Sequence, residues 1–239
     1  MPTVSNEPAE SRAEYDGFAA AYSAENETNL FNAYYERPET LRLAGDVAGL
    51  RVLDAGCGSG PLTDALRTKG AQVSGFDLSP AMVTLARERL GDDADLRVAD
   101  LGAPLPYRDD EFDLVVVSLA LHYVQDWDPA LAELRRVTRR GGRLIVSIIH
   151  PMVYALVYPD ADYFALTRYS EDYTLAGETV WMTYWHRPLQ DVLNAFTTAG
   201  FHIRTVTEPP PAQDTPTELL PTPDSRSFVC FLFLELDAP

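Results

Sequence analysis

The chain has 239 residues, 46% of them hydrophobic, with 36 acidic against 19 basic residues and a formal net charge of −17. That apolar content suits one large packed domain rather than a disordered polymer. So acidic a surface repels phosphate backbones and anionic lipid, which argues against nucleic-acid and membrane partners, and apolar runs such as Leu114 to Leu121 are too short to span a bilayer.

Met1 to Glu7 lacks the basic and apolar stretches of a signal peptide, so a cytoplasmic location is expected. Ser11 to Tyr22 has helical spacing, with Tyr15, Phe18, Ala19 and Tyr22 on one face. Asn26 to Pro38 is aromatic and polar, and Glu39 to Val47 reads as a short helix. Strands and helices then alternate: strand Arg51–Ala55, helix Gly60–Lys69, strand Gln72–Phe76, helix Ser79–Leu90, strands Ala94–Val98 and Phe112–Ser118, helix Pro129–Arg139, strand Arg143–Ile149. Ser79 is suited to cap its helix, with Pro80 at the first helical position. Phe112–Ser118 is continuously apolar, as in a strand buried on both faces. The rhythm implies an α/β fold with a parallel, doubly wound sheet.

After His150-Pro151 the rhythm breaks. Met152 to Trp185 holds nine aromatics and is too long for an ordinary connection, so a lid or small insertion is expected. Helix Pro188–Ala199 and strand Phe201–Thr207 follow, then a proline-rich loop over Glu208–Asp224 and a last strand, Ser227–Leu236. The organisation expected is a tail and helical cap at 1–48, a core at 49–151, an aromatic insertion at 152–186 and completing elements at 187–239. Two cysteines suggest no disulfide framework: Cys57 falls in a glycine-rich turn and Cys230 in a late apolar run.

The central signal is Val52-Leu53-Asp54-Ala55-Gly56-Cys57-Gly58-Ser59-Gly60. A buried strand enters a turn with glycines at alternate positions, where a ligand can approach bare backbone. The turn lies at the carboxyl end of the first strand, where open α/β sheets bind ligands. The spacing is G-x-G-x-G, so the third glycine arrives one residue earlier than in a dinucleotide fingerprint, and the lysine-serine ending of a P-loop is absent. The next strand ends Ser74-Gly75-Phe76-Asp77, and an acid there can accept hydrogen bonds from both ribose hydroxyls of an adenosine.

Val52 to Gly60 resembles the first motif of class I S-adenosylmethionine-dependent methyltransferases, and residues from about 50 to 150 follow the order of that family's common domain. The resemblance implies a Rossmann-like sheet of seven strands, mostly parallel with the last antiparallel, and S-adenosyl-L-methionine as cofactor. It implies that Asp54 and the backbone at Ala55, Gly56 and Gly58 lie against the methionine part, that Asp77 takes the ribose, and that Leu78 and Met82 pack beside the adenosine. Asp100, with Leu101, matches the acid that meets the adenine amine, and Ser118 borders the reactive end. Tyr15-Asp16-x-Phe18 with Tyr22, and Asn32 to Pro38, resemble the cap of small-molecule members, so Tyr22 and Tyr35 are candidates for cofactor contact or for plain helix packing.

Three histidines are candidates for acid–base work or for capping and packing. His122 lies just past the fourth strand, His150 just past the fifth, and His186 ahead of a late helix. His122 and His150 are the catalytic candidates. Tyr154, Tyr184 and His186 are the candidates to line a pocket for a flat or partly apolar acceptor, although the same aromatics could cover a sheet edge or form a homodimer contact. No Cys/His cluster suggests a metal. The leading expectation is methyl transfer to oxygen, nitrogen or carbon of a small molecule. The alternatives are a cofactor-binding protein with a regulatory or non-methylating role, and an NAD-dependent oxidoreductase.

Overall fold

A computed structural model describes residues 16–222 and 226–239. Tyr15 and the start of the helix expected from Ser11 lie outside the described residues, as do Pro223 and Asp224 of the proline-rich loop. Strands β1 (Arg51–Ala55), β2 (Gln72–Asp77), β3 (Asp95–Val98), β4 (Phe112–Ser118), β5 (Thr138–Ile149), β8 (His202–Thr207) and β9 (Phe231–Ala238) form one sheet, ordered β3-β2-β1-β4-β5-β9-β8. Every pairing from β3 to β5 is parallel, and β9 runs antiparallel between β5 and β8. This is the seven-stranded, mostly parallel arrangement expected. Its order reverses between β1 and β4, so a crevice opens at their carboxyl ends.

Both faces of the sheet are covered. Helices α5 (Trp127–Val137) and α7 (Leu189–Thr198) pack Leu131, Leu134 and Phe196 against Leu53, Val115, Val117 and Leu234. Helices α2 (Arg37–Ala44) and α3 (Pro61–Thr68) pack Leu43, Ala44, Leu62 and Leu66 against Val52, Leu114, Val116 and Phe233 on the other face. Residues 114 to 117 have no exposed surface, which explains the unbroken apolar run of β4. Helix α4 (Pro80–Leu90) starts as the sequence predicts: Ser79 Oγ accepts from Met82 N–H at 3.1 Å, and Pro80 follows.

Several boundaries differ from the sequence-based expectation, among them the last strand, which is Phe231–Ala238 rather than Ser227–Leu236, and α2, which is Arg37–Ala44 rather than Glu39–Val47. Helix α1 is Ala19–Asn26, and the polar stretch after it is a turn of π-helix, Asn32–Glu36, that runs into α2. Helix α5 stops at Val137, and β5 continues through Gly141-Gly142 instead of starting after them. A Cβ at Gly142 would lie 2.8 Å from the Arg139 carbonyl and 3.0 Å from that of Asp113, so these glycines carry an irregularity inside the strand, where its pairing with β4 shifts register. The aromatic insertion is α6 (Pro151–Val157) followed by a hairpin of β6 (Thr167–Leu175) and β7 (Glu178–His186), separate from the main sheet. No described helix is long and apolar enough to cross a membrane.

Candidate active site

The glycine turn is fastened to the next strand. Gly56 N–H and Cys57 N–H both donate to the Phe76 carbonyl at 2.9 Å, and Gly60 N–H donates to the Cys57 carbonyl at 2.9 Å. Gly56 has φ +82°, and a Cβ there would lie 2.6 Å from the Ala120 Cβ. The turn therefore closes against the segment after β4, and a side chain would push the two apart. That segment is itself strained. Leu119 has φ +49°, rare for a leucine, and its N–H is held by both the Ser147 carbonyl (3.1 Å) and Ser147 Oγ (3.0 Å).

Asp77, at the end of β2, accepts from Gly58 N–H at 2.8 Å through Oδ2 and from Ser79 N–H at 2.9 Å through Oδ1. It thus joins the turn to the start of α4, and its burial raises its pKa. Asp54 is more enclosed. Its Oδ2 accepts from Thr63 Oγ1 at 2.6 Å, its Oδ1 is buried with no partner, and burial pushes its pKa up to about 7. An orphaned carboxylate oxygen at a cavity wall needs an explanation, and a bound donor supplies one.

The cavity has about 660 Å³ of space, within the range of small-molecule sites. Tyr22, Asp54, Gly56, Gly58, Asp77, Leu78, Met82, Asp100, Leu101 and Ser118 line it, which is ten of the twelve residues expected at the cofactor. They come from the ends of β1, β2 and β4 and the starts of α1 and α4, with Asp100 and Leu101 just beyond β3. Ala55 is buried beneath the turn, away from the wall. Tyr35 is placed elsewhere: its ring packs on Phe228 and Phe231, and its hydroxyl accepts from Cys230 N–H at 3.2 Å. It joins α2's approach to β9 rather than the cavity.

None of the three histidines lines this cavity. His122 is buried against Tyr123 and Tyr184, and burial pulls its pKa down to about 3, so it is neutral at ordinary pH. His150 caps α6, with Nδ1 accepting from Met152 N–H at 3.0 Å, and its Nε2 lies 2.6 Å from Glu208 Oε1 but out of line for a hydrogen bond. His186 stacks on Tyr154 at 4.0 Å and donates from Nε2 to the Tyr163 carbonyl at 2.7 Å, with its pKa lowered by burial. These histidines and Tyr154 border a separate crevice of only about 20 Å³. Tyr184 is buried with Met182 and Leu175.

The hairpin contributes through its other face. Strand residues alternate, and Tyr169, Tyr173, Met182 and Tyr184 pack inward while Arg168, Thr183 and Trp185 line the cavity. The β7 residues expected at an acceptor pocket, Tyr184 and His186, lie on the opposite face of the strand from Thr183 and Trp185. Within the expected cap stretch Asn32 to Pro38 the candidate singled out was Tyr35, whereas the π-helical turn brings Asn32, Glu36 and Arg37 to one wall. Glu36 Oε1 accepts from Thr40 Oγ1 (2.6 Å) and Ser147 Oγ (2.7 Å), and Arg37 donates to the Asn26 carbonyl at 2.9 Å. Ser23 Oγ donates to Ser59 Oγ at 2.7 Å, so α1 sits directly on the glycine turn.

A doubly wound sheet with a glycine turn, an acid ending β2 and a cavity between them defines a nucleotide-binding α/β protein. Residues 53–146 match a family described as Methyltransferase domain. A demethylmenaquinone methyltransferase from Clavibacter sepedonicus is 36% identical over 145 residues, 60% of this chain and 59% of that protein. Another, from Thermobifida fusca, is 33% identical over 147 residues, 60% of this chain and 62% of that protein. The chain thus spans about three fifths of the length of these curated relatives. The crystal structure of an S-adenosylmethionine-dependent methyltransferase from Mesorhizobium loti matches with a TM-score of 0.64 at 28% identity, over 83% of this chain and 95% of that one. The chain is thus similar to class I S-adenosylmethionine-dependent methyltransferases in its sheet and glycine turn, and S-adenosylmethionine is the cofactor that this likeness supports. The residues present fit it: a cavity of sufficient size, an unpartnered Asp54 oxygen and an acid, Asp77, ending β2 at the cavity wall.

Proposed function

We propose that this protein transfers a methyl group from S-adenosylmethionine to oxygen, nitrogen or carbon of a small molecule. The observation that carries the reading is the single cavity wall shared by the Gly56–Gly58 turn, Asp77, Asp100 and the strained Ser118–Ala120 segment. In this reading the remaining acceptor capacity of Asp77 meets the ribose hydroxyls, and Asp100 meets the adenine amine. The N–H groups of Gly56, Cys57, Gly58 and Gly60 already have acceptors within the protein. The turn therefore has few donors left for the cofactor's carboxylate, and Arg37, on the facing wall, is the cation suited to that charge. The unpartnered Asp54 oxygen suits the amino group.

When bound, the cofactor supplies a sulfonium-bound methyl open to in-line attack. The chain's work is positioning and exclusion of water. Helix α1 and the hairpin wall the cavity opposite the sheet edge, and fixing two reactants in line is worth roughly 7–11 kcal/mol of barrier. No histidine lines the cavity, so the acceptor arrives already nucleophilic or gives its proton to a carboxylate such as Glu36.

The relatives named for demethylmenaquinone suggest a ring acceptor. The hairpin, which in this reading walls the acceptor end, lies beyond the family match at residues 53–146, so that match does not identify the acceptor. The test is isotope transfer from labelled cofactor across a metabolite panel, with calorimetry for demethylated cofactor alongside. Cofactor that binds while no acceptor is ever labelled favours the regulatory alternative. Cofactor that fails to bind overturns both.

A further inference from the structure

The protein uses only one oxygen of the Glu36 carboxylate. The π-helical turn carries this residue into the cavity wall, where it is 3% exposed. Its Oε1 accepts from Thr40 Oγ1 at 2.6 Å and from Ser147 Oγ at 2.7 Å. Its Oε2 has no donor among the described residues and still keeps accessible surface, so it opens on the cavity that Glu36 lines. An enclosed charge is costly unless its lone pairs are met, and here one set is left for a bound donor. Ser147 fixes where that oxygen stands. Its Oγ also accepts from Leu119 N–H at 3.0 Å, and Ser147 pairs with Ser118 in the register of β5 on β4. Two hydrogen bonds therefore tie Glu36 to the strained segment that ends β4. Tyr123, in the turn after that segment, and Trp185 on β7 add aromatic rings to the same cavity.

Resting on the methyl-transfer reading above, we propose that Glu36 Oε2 takes the acceptor's proton, and that the acceptor is a neutral hydroxyarene methylated on oxygen. A hydroxyl that gains a methyl becomes an oxonium, a far stronger acid than any carboxylic acid, so a carboxylate is base enough to take its proton as the bond forms. An alkylamine fares worse at this place. It enters as an ammonium with no lone pair, and a facing carboxylate holds it in that form. Glu36 Oε2 takes the hydroxyl proton as the oxygen bonds to the methyl carbon. The O–H electron pair stays on oxygen, the carbon–sulfur pair goes to sulfur, and Glu36 gives its proton to water when the ether leaves. The rings of Tyr123 and Trp185 offer flat surface to the arene. Arg37, next in the chain, is held to the Asn26 carbonyl and in this reading faces the cofactor's carboxylate.

4-Nitrophenol, whose colour reports its ionisation, tests this without turnover. At the pH where it is half ionised in solution, it is titrated into the full chain with saturating S-adenosylhomocysteine, beside 4-nitroanisole and 4-nitrobenzylamine. The parent should bind it at least about tenfold tighter than the anisole, the ratio a charge-assisted hydrogen bond gives, and its phenolate band should fall on binding. Glu36→Gln keeps an oxygen for Thr40 and Ser147 but turns an amide NH2 group to the cavity. In that variant the preference over the anisole should vanish and the phenolate band should persist. Glu36→Asp, which keeps the charge, should recover part of both, and S-adenosylhomocysteine should bind each variant as it binds the parent. With labelled S-adenosylmethionine and an acceptor panel, the parent should label hydroxyls, and Glu36→Gln should label them about a hundredfold more slowly. A phenolate band that persists in the parent, tighter binding of the amine, label on amines alone, or a Glu36→Gln variant unchanged in either readout overturns the proposal. Failure of the parent to bind S-adenosylhomocysteine overturns the cofactor reading instead, and a panel with no labelled acceptor overturns the methyl-transfer reading.

Discussion

Asp77 has two functions that one substitution separates. Its carboxylate holds Gly58 N–H and Ser79 N–H, and in the proposed reading it also takes the ribose. Asp77→Asn keeps an oxygen for one of those bonds and removes the charge. Cofactor affinity measured by calorimetry should fall by about tenfold or more, with a stability loss near 1–2 kcal/mol by denaturant titration. Unchanged affinity would count against the ribose placement. Tyr35 makes the opposite case. Its hydroxyl is a partner of Cys230 N–H, and its side chain is not part of the cavity wall. Tyr35→Phe should cost about 1 kcal/mol of stability and leave cofactor affinity unaltered. A selective loss of cofactor binding would restore it to the site.

At the scale of elements, the contact between the glycine turn and the segment after β4 is the most exacting. Gly56→Ala would place a methyl 2.6 Å from the Ala120 Cβ at a backbone angle alanine avoids. The variant should lose most cofactor affinity, because the neighbours of that contact, Ser118 and Leu119, also line the cavity. Full affinity by calorimetry would show that the turn and the β4 segment move independently. The hairpin illustrates a different dependence. Its aromatic richness is legible in the sequence, but the phase is not. An alternating strand gives two sets, Tyr169, Tyr173 and Tyr184 or Arg168, Thr183 and Trp185, and both contain large side chains. Which set faces the ligand depends on what the rest of the fold places behind the hairpin.

For the whole molecule, two buried groups pull the pH dependence of stability in opposite directions. Asp54 has its pKa raised by burial from 3.8 to about 7, so between those values the folded chain holds the more protons, and stability falls as pH rises. Asp54→Asn removes this. Its melting temperature relative to the parent, without cofactor, should be higher at pH 8 than at pH 5. A constant difference would refute the buried ionisation. His122 has its pKa lowered from 6.5 to about 3, so the unfolded chain holds the more protons there, and stability falls as pH drops below about 6.5. His122→Leu should flatten that acid limb, and a limb of unchanged slope would assign it to other groups.

The sequence by itself determined the doubly wound sheet, the turn from Gly56 to Gly60, and the acids Asp54, Asp77 and Asp100. The sheet, the turn and Asp77 depend on local pattern, namely strand and helix periods, glycine spacing and an acid that ends the second strand, while Asp54 and Asp100 followed from the family resemblance. Where the chain breaks local rules, tertiary structure decided. A π-helical turn brings Asn32, Glu36 and Arg37 to the cavity, and β5 continues through two glycines. His122, His150 and His186 are turned into packing and capping. A side chain's period says which neighbours share its face, but only the packed core says whether that face is buried or meets a ligand.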